Sequence, residues 1–353
     1  MTRLASAPAR PLRLAVNGYG RIGRCFVRAI HEAGLAGHLN VVAINEPADL
    51  ASIAHLTRFD STHGRFPGEA GIENDALRLN GQRIAITHAE TPEGVDWRAL
   101  GLDLLVECSG RYTRRSELQR FLDAGCPRLL LSNPGAHAQD VDATIVYGVS
   151  QTLPDQARLV SAASCTTNAA VSVLALLHQE IGIERVLLTT LHSAMNDQPL
   201  IDGYHHHELA RTRSAMQSII PVATGLARGI ERLLPELTGR VEAKAIRVPT
   251  HNVSAIDMVL TLSGDISAAR VNELLHAAAR GPFAGLIDWS DTPHASIDFN
   301  HDPHSAIVDG SQTRTCGPRM VNLFVWFDNE WGFANRMVEV AHHWLAGLAA
   351  ALL

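Results

Sequence analysis

The sequence has no Cys-x-x-Cys pair, no block of basic residues and no apolar run of the roughly 18 residues needed to cross a bilayer. Its five cysteines are an odd number without metal-ligand spacing, which argues against a disulfide framework and favours a reducing compartment. The net charge of −6 disfavours nucleic acid and anionic membrane surfaces. We therefore expect a cytoplasmic protein with no nucleic-acid partner and no membrane partner.

Apolar runs closed by Ser or Gly alternate with helical stretches through the first half of the chain, as in "LRLAVNGYG", "NVVAINEP", "DLLVECSG" and "RLLLSNPG". This alternation is typical of a doubly wound parallel sheet with helices on both faces. Longer strand-like segments follow, such as "ERVLLTTLHSAM" and "RMVNLFVWFD". The predicted fold is α/β, with an N-terminal Rossmann-like parallel sheet and a second α+β domain whose sheet is largely antiparallel.

The segment "GYGRIG" has the spacing G-x-G-x-x-G, follows a predicted strand and opens a predicted helix. Gly18 permits a tight turn, Gly20 admits a pyrophosphate, and Gly23 allows close packing of helix and strand. Glu46 follows the second strand, where a carboxylate binds a ribose hydroxyl and repels a 2′-phosphate, so NAD is favoured over NADP. The alternative is a glycine turn that only packs a strand against a helix.

Cys165 stands in "SAASCTTN" at the predicted start of a helix, where free N–H groups favour the thiolate. His192 ends the strand-like run "VLLTTLH". A cysteine and a histidine of this kind can act as nucleophile and base. The spacing alone is equally compatible with two unrelated residues.

Six segments resemble the glyceraldehyde-3-phosphate dehydrogenase family, in matching order from about residue 13 to the last helix: "NGYGRIGR", "FDSTHGRF", "SCTTN", "IIPVATGLARGIERLLPEL", "RVPTHNVSAIDM" and "DNEWGFANRM". Two segments are more similar to the branch of this family that oxidises D-erythrose 4-phosphate than to its glycolytic members: "LHSAMNDQPLIDGYHHHELARTRSAMQSIIP" and "SIDFNHDPHSAIVDGSQTR". Because the sequence pattern changes after about Ser164, we predict an NAD-binding domain over residues 12–163 and a catalytic and substrate domain over 164–329. The last helix, 330–353, is amphipathic and is expected to pack back on the first domain. The resemblance implies a homotetramer.

The resemblance implies that Cys165 attacks an aldehyde, that His192 takes the proton, and that hydride transfer to NAD leaves a thioester. Asn329 is expected to bind the nicotinamide carboxamide. Further positions that match cofactor contacts are Arg21, Ile22, Ser109 and Ser132. Those that match contacts of a small phosphorylated aldehyde are Ser164, Thr166, Arg211, Thr224, Gly225 and Arg247.

Two departures from the glycolytic enzymes bear on the substrate. Met195 stands where those enzymes have a threonine that binds the substrate phosphate, and Asp197 replaces the next such threonine and would repel a phosphate nearby. We expect a preference for the four-carbon aldehyde, with water resolving the thioester to 4-phospho-D-erythronate, a precursor of pyridoxal 5′-phosphate. The alternatives are a phosphorylating glycolytic enzyme, and a nucleotide-sensing or scaffold protein without turnover.

The histidine run at 205–207 resembles a metal-binding tract, but no carboxylate or cysteine spacing supports it. We therefore predict no metal site.

Overall fold

The computed structural model describes residues 10–205 and 208–350. His206 and His207 of the histidine run, and the last three residues of the predicted final helix, lie outside the described residues. The first elements are β1 (Leu12–Asn17), α1 (Arg21–Glu32), β2 (Leu39–Asn45), α2 (Leu50–Arg58), β3 (Phe59–Asp60), β4 (Gly64–Arg65), β5 (Ala70–Glu73), β6 (Ala76–Leu79), β7 (Gln82–Thr87), β8 (Leu104–Glu107), α3 (Arg115–Asp123), β9 (Leu129–Leu131), β10 (Ala143–Thr144) and β11 (Leu159–Ser161).

The second set of helices and strands begins at Cys165. Its elements are α4 (Cys165–Glu180), β12 (Ile183–His192), β13 (Ile220–Val222), α5 (Leu226–Leu233), β14 (Val241–Arg247), β15 (Ser254–Leu262), α6 (Ala268–Arg280), β16 (Ile287–Ser290), β17 (Ala306–Asp309), β18 (Arg314–Cys316), β19 (Met320–Phe327) and α7 (Trp331–Ala350).

The chain divides into two compact units. The parallel-sheet unit comprises the described residues 10–164 and 334–350, and the antiparallel-sheet unit comprises Cys165–Phe333. Within the first, the α7 residue His343 places its Nε2 3.2 Å from the carbonyl oxygen of Gln151. No helix in the described part of the chain is long and apolar enough to cross a membrane.

The parallel-sheet unit contains a nine-stranded sheet in the order β10-β11-β9-β8-β1-β2-β7-β6-β5. All its pairings are parallel except those of β6 with β5 and β7. The central strands β1, β8 and β9 are short apolar runs because helices cover both faces of such a sheet. The chain leaves β1 toward β2 on one side and later returns to β8 on the other, so a switch point falls between β1 and β8. This confirms the predicted Rossmann-like sheet.

The antiparallel-sheet unit contains an eight-stranded sheet in the order β13-β14-β12-β15-β19-β17-β16, with β18 paired to β19. Most pairings are antiparallel, as predicted, but β12 with β14 and β16 with β17 are parallel. Buried and more exposed residues alternate along β12, which indicates one packed face and one open face.

Neighbouring leucines on β12 test this assignment of faces. Leu188 is 0% exposed and Leu187 is 49% exposed. We expect Leu188→Ala to lower the free energy of unfolding by about 2–5 kcal/mol because it leaves a cavity. Leu187→Ala should change it by about 0.5 kcal/mol or less. Denaturant unfolding followed by fluorescence measures both, and an equal loss for Leu187→Ala would mean that the open face is covered in solution.

Candidate active site

The three glycines of the first turn have different physical roles. Gly18 has φ +85°, and a Cβ there would lie 2.5 Å from the Ser109 Cα. A Cβ on Gly23 would lie 2.2 Å from the Gly18 carbonyl oxygen, so both positions exclude side chains by packing. A Cβ on Gly20 would meet nothing within 4 Å. Gly20 therefore leaves open space at the start of α1, where helix N–H groups attract anions, and this space fits a pyrophosphate.

Four of the predicted cofactor residues follow neighbouring strands. Ser132, Ser109, Gly18 and Glu46 come directly or almost directly after β9, β8, β1 and β2, which are consecutive in the sheet. Because these strands are parallel, the four positions lie side by side at the carboxyl ends of the strands. The switch point, where such folds bind nucleotides, is at the same end of the sheet. Glu46 accepts a hydrogen bond from the Tyr19 backbone N–H at 2.8 Å, which ties the glycine turn to β2.

Arg21 and Ile22 occupy the first turn of α1. The Arg21 guanidinium pairs with both oxygens of Asp60, with Nη2 3.1 Å from Oδ1. Burial raises the pKa of Asp60, but the hydrogen bonds from Arg21 and from the backbone N–H groups of Thr62 and His63, together with the charge of Arg21, outweigh burial, and the pKa of Asp60 falls below its usual range. The charge of Arg21 is thus matched within the protein. A cofactor can meet Arg21 and Ile22 through their backbone at the helix terminus.

A ladder of polar side chains crosses the strand ends beneath these positions. The carboxylate of Glu107 accepts from the Ser109 N–H at 2.7 Å and from the side-chain amide of Asn17. Asn45 donates to the Asn17 amide oxygen at 2.8 Å, and Thr87 donates to Asn45 at 2.8 Å. Glu107 is 0% exposed, and burial raises its pKa to about 7. This ladder was not predicted from the sequence, although each member is a polar residue at or just beyond the end of a strand.

The thiol and the imidazole meet in the antiparallel-sheet unit. The helix α4 begins at Cys165, whose Sγ lies 3.7 Å from His192 Nε2 and 3.8 Å from Thr166 Oγ1. Burial raises the pKa of Cys165. Burial, aided by the charge of Arg247, lowers the pKa of His192 to about 4. The resting pair is therefore a thiol and a neutral imidazole, because burial outweighs the helix terminus that was expected to favour the thiolate.

Arg247 contacts the imidazole from the side opposite Cys165. It pairs with His192 in the parallel register of β12 and β14, and its Nη1 lies 2.7 Å from His192 Nδ1 and 3.1 Å from the Ser193 carbonyl oxygen. Arg247 is 9% exposed, and its Nε has no hydrogen-bond partner among the described residues. No carboxylate in the described part of the chain forms an ion pair with it. A buried cation without a counter-ion is costly, and this one can receive an anion.

Asn329 lies beside the same pair of strand ends. Its Oδ1 accepts from Ser193 Oγ at 2.9 Å and from Ser254 Oγ at 2.8 Å. Ser254 Oγ in turn accepts from the Ser193 N–H at 3.1 Å. Both hydroxyl protons are satisfied when the Asn329 oxygen points inward, and the Nδ2 donors then face the other way. Ser193 and Ser254 were not predicted, although "HSA" in the sequence places a serine at a strand end.

The remaining predicted substrate residues lie at two other places. Arg211 pairs with Asp197 and with Glu208, the latter at 3.0 Å. The carboxylate of Asp197, expected to repel a phosphate, thus has its charge matched by Arg211. Met195 is 45% exposed.

Thr224 and Gly225 precede α5, and Thr224 Oγ1 accepts from the Leu226 N–H at 3.2 Å. Gly225 is the residue that opens this helix. Along the chain, Ser164 and Thr166 flank Cys165 at the start of α4, and α4 packs against α5. Ser164 and Thr166 therefore lie at the start of α4, and Thr224 and Gly225 lie just before α5. The two helices are in contact, and helix starts favour anions.

A nucleotide fold with an open glycine turn in one unit, and a buried thiol–imidazole pair in the other, are typical of a nucleotide-dependent dehydrogenase. Residues 12–115 match the family profile for the NAD binding domain of glyceraldehyde 3-phosphate dehydrogenase, and residues 164–329 match that for its C-terminal domain. The chain belongs to the glyceraldehyde 3-phosphate dehydrogenase family. It is an NAD-dependent oxidoreductase that acts on the aldehyde group of a phosphorylated sugar.

Two glycine variants separate packing from cofactor binding. Gly20→Ala should fold as well as the wild type but weaken NAD binding by about tenfold or more, because its Cβ occupies the open space. Gly18→Ala should lower the free energy of unfolding by about 1–3 kcal/mol, because of its positive φ and the contact with Ser109. Thermal unfolding without NAD and fluorescence titration with NAD measure these effects. Wild-type affinity in Gly20→Ala would contradict the assignment.

Glu107 predicts a pH dependence of stability. Its pKa is raised from 4.5 to about 7 in the folded protein, so between these values the folded state holds a proton that the unfolded chain has lost. The carboxyl therefore stabilises most below pH 4.5 and loses this contribution as the pH rises through about 7. Glu107→Gln cannot ionise at this position. The midpoint of its unfolding should therefore fall less than that of the wild type as the pH rises from 4.5 to about 7. The exposed Glu73→Gln, measured in parallel, should keep the wild-type slope.

Proposed function

We propose that this protein is an erythrose-4-phosphate dehydrogenase, which oxidises D-erythrose 4-phosphate to 4-phospho-D-erythronate with NAD and releases the product with water. Its product would enter pyridoxal 5′-phosphate synthesis. The observation that carries the proposal is Met195, an exposed side chain without a donor where glycolytic members have a phosphate-binding threonine. Asp197, engaged with Arg211, supplies no donor either.

In this proposal the thiol of Cys165 attacks the aldehyde carbon, and His192 Nε2, 3.7 Å away, receives the thiol proton. NAD, when bound, would supply the hydride acceptor that oxidation of the hemithioacetal carbon requires. Loss of hydride leaves a thioester on Cys165. The backbone N–H of Cys165 and His192 stabilise the oxyanion that develops at the attacked carbon. Water then attacks the thioester and releases the acid, with the thiol restored.

Asn329 is proposed to donate from Nδ2 to the nicotinamide carboxamide oxygen. The two serine hydroxyls at its Oδ1 support this role because they hold the amide in one orientation. On the dinucleotide side we assign the adenosine ribose to Glu46 and the pyrophosphate to the turn at Gly20. Ser109 and Ser132 are assigned to the nicotinamide side of the same end of the sheet.

We assign the substrate phosphate to Arg247, which is buried and forms no ion pair among the described residues. Ser164, Thr166, Thr224 and Gly225 are proposed to complete the substrate pocket. Arg211 would contribute its guanidinium, which is also paired with Asp197 and Glu208. The phosphorylating glycolytic reaction would use the same Cys165 and His192, so the phosphate pocket and the acyl acceptor distinguish the two functions.

We further propose a homotetramer and a cytoplasmic location. The segment 200–219 carries large apolar side chains that are 71–102% exposed, namely Leu200, Ile201, Tyr204, Leu209 and Ile219. Exposure of this extent is typical of a surface that another chain covers. Light scattering should give the mass of four chains, and a mass of one chain would contradict the proposal.

Formation of NADH from each aldehyde, with and without inorganic phosphate, tests the reaction. We expect turnover of erythrose 4-phosphate without phosphate, and a much smaller kcat/KM for glyceraldehyde 3-phosphate. Met195→Thr restores a donor, and a hydrogen bond to a charged group is worth about 1.5–3 kcal/mol, so the preference should shift about 10- to 100-fold toward the three-carbon aldehyde.

Met320→Thr makes the same change at a methionine that is 42% exposed, at the far end of β19. It should leave the preference unchanged. Strict dependence on inorganic phosphate with glyceraldehyde 3-phosphate preferred would overturn the proposal in favour of the glycolytic reaction. Absence of turnover with both aldehydes would favour a nucleotide-sensing role.

A further inference from the structure

His192 Nδ1 has two neighbours that make opposite demands. Arg247 Nη1 lies 2.7 Å from it, and the Ser193 carbonyl oxygen lies 2.9 Å from it. A guanidinium has only donors, whereas a carbonyl oxygen has only acceptors. A bare Nδ1 satisfies Arg247, and a protonated Nδ1 satisfies Ser193, so the two contacts cannot both be hydrogen bonds at once.

The guanidinium favours the first arrangement. Arg247 Nη1 also donates to the Ser193 oxygen at 3.1 Å, so this carbonyl is satisfied even when Nδ1 is bare. The neutral imidazole then carries its proton on Nε2, the nitrogen 3.7 Å from Cys165 Sγ. A protonated Nε2 cannot accept the proton of the thiol. The resting arrangement therefore holds the base in its inactive tautomer.

We propose that Arg247 couples recognition of the substrate's phosphoryl group to activation of Cys165, by controlling which nitrogen of His192 carries the proton. The proposal rests on the assignment of the phosphate to Arg247 under the proposed function. An anion that binds the guanidinium draws Nη1 away from Nδ1. The imidazole releases its Nε2 proton to water and takes one up at Nδ1, which donates to the Ser193 oxygen. Nε2 is then a bare acceptor facing the thiol.

The proton balance of the activated pair is simple. The S–H bond of Cys165 breaks, its proton moves to Nε2, and the electron pair remains on sulfur as the thiolate. Nδ1 keeps its proton and donates it in a hydrogen bond to the Ser193 carbonyl oxygen. The imidazolium is therefore held by this hydrogen bond on one side and by the thiolate on the other. The bound anion offsets the positive charge of Arg247, which otherwise opposes this imidazolium. Asp197 and Arg211 are the other charged groups that act on His192, and they pair with each other.

The sign of an anion's effect distinguishes this coupling from plain electrostatics. The charge of Arg247 by itself favours the Cys165 thiolate. If that were its whole effect, an anion bound to it would slow the reaction of the thiol. Release of the imidazole from Arg247 predicts the opposite, a faster reaction.

The test is alkylation of Cys165 by iodoacetamide, followed by mass spectrometry of its peptide, without NAD and with increasing inorganic phosphate. One unit of thiol pKa changes the thiolate fraction about tenfold, and we expect an acceleration of this order that saturates with phosphate. Cys316 is exposed and serves as an internal control whose rate should not respond. Slower or unchanged alkylation of Cys165 would overturn the proposal.

Two arginine variants locate the effect. Arg247→Met should remove the response to phosphate. Arg240→Met should retain it, because Arg240 precedes β14 at its other end, where it donates to the Ile183 carbonyl oxygen at 3.1 Å. A phosphate response that persists in Arg247→Met would contradict the coupling.

Nitrogen NMR of histidine-labelled wild-type protein needs no arginine variant. The His192 signals, identified by their loss in His192→Asn, should move from the Nε2-protonated to the Nδ1-protonated pattern as phosphate is added. An unchanged pattern would overturn the proposal. Neither measurement requires turnover, so the coupling can fail while the aldehyde is still oxidised, and it can hold even if the proposed aldehyde is wrong.

Discussion

The parallel pairing of β12 with β14 is the constraint on which the geometry around His192 depends. The two strands run in the same direction in register, so His192 and Arg247 end opposite each other. The antiparallel partner β15 begins at the same edge, and β19 ends there, because Ser254 pairs with Phe327. Asn329 follows β19 by two residues. The imidazole, the guanidinium and the amide with its Ser254 partner therefore converge from four strands. A slip of one residue along β12 would turn His192 to the opposite face.

Both sheets concentrate their buried polar groups at strand ends. In the antiparallel-sheet unit Arg247 is buried and forms no ion pair among the described residues. Thr190, two residues before His192 on β12, has a buried Oγ1 without a hydrogen-bond partner in the same part of the chain. In the parallel-sheet unit the carboxylate of Glu107 is buried beneath the glycine turn. The strand interiors are apolar, so most of the stabilising burial lies away from the sites. That separation allows the strand ends to hold unmatched charges that a ligand can complete.

The glycine spacing could be predicted because it depends on local chemistry, whereas the spacing of Cys165 and His192 left their pairing open and only the family resemblance implied it. Gly18 and Gly23 are required within one turn of chain, and Cys165 needs only the helix that begins with it. The parallel and antiparallel character of the two sheets also followed from local alternation. These features are repeated along short windows of sequence, which is why a single sequence reveals them.

The contacts that set the charges could not be predicted in this way. Asp197 looked like a barrier to phosphate, yet it pairs with Arg211, fourteen residues farther along a loop. Arg247 was predicted as a substrate contact, but its contact with His192, 55 residues away in the chain, depends on the register between two strands. The Glu107 ladder joins four strands in the same manner. Partners of this kind are chosen by topology, and residue type alone does not specify them.

The division of the chain has a consequence for the order of synthesis. Among the described residues the antiparallel-sheet unit is one continuous stretch, Cys165–Phe333, whereas the parallel-sheet unit takes residues from both sides of that stretch. Domains fold as units while the chain emerges from the ribosome. The unit that carries Cys165 has all its described residues once Phe333 has emerged. The unit that starts first must still wait for α7, so the part begun later is the first that can be completed.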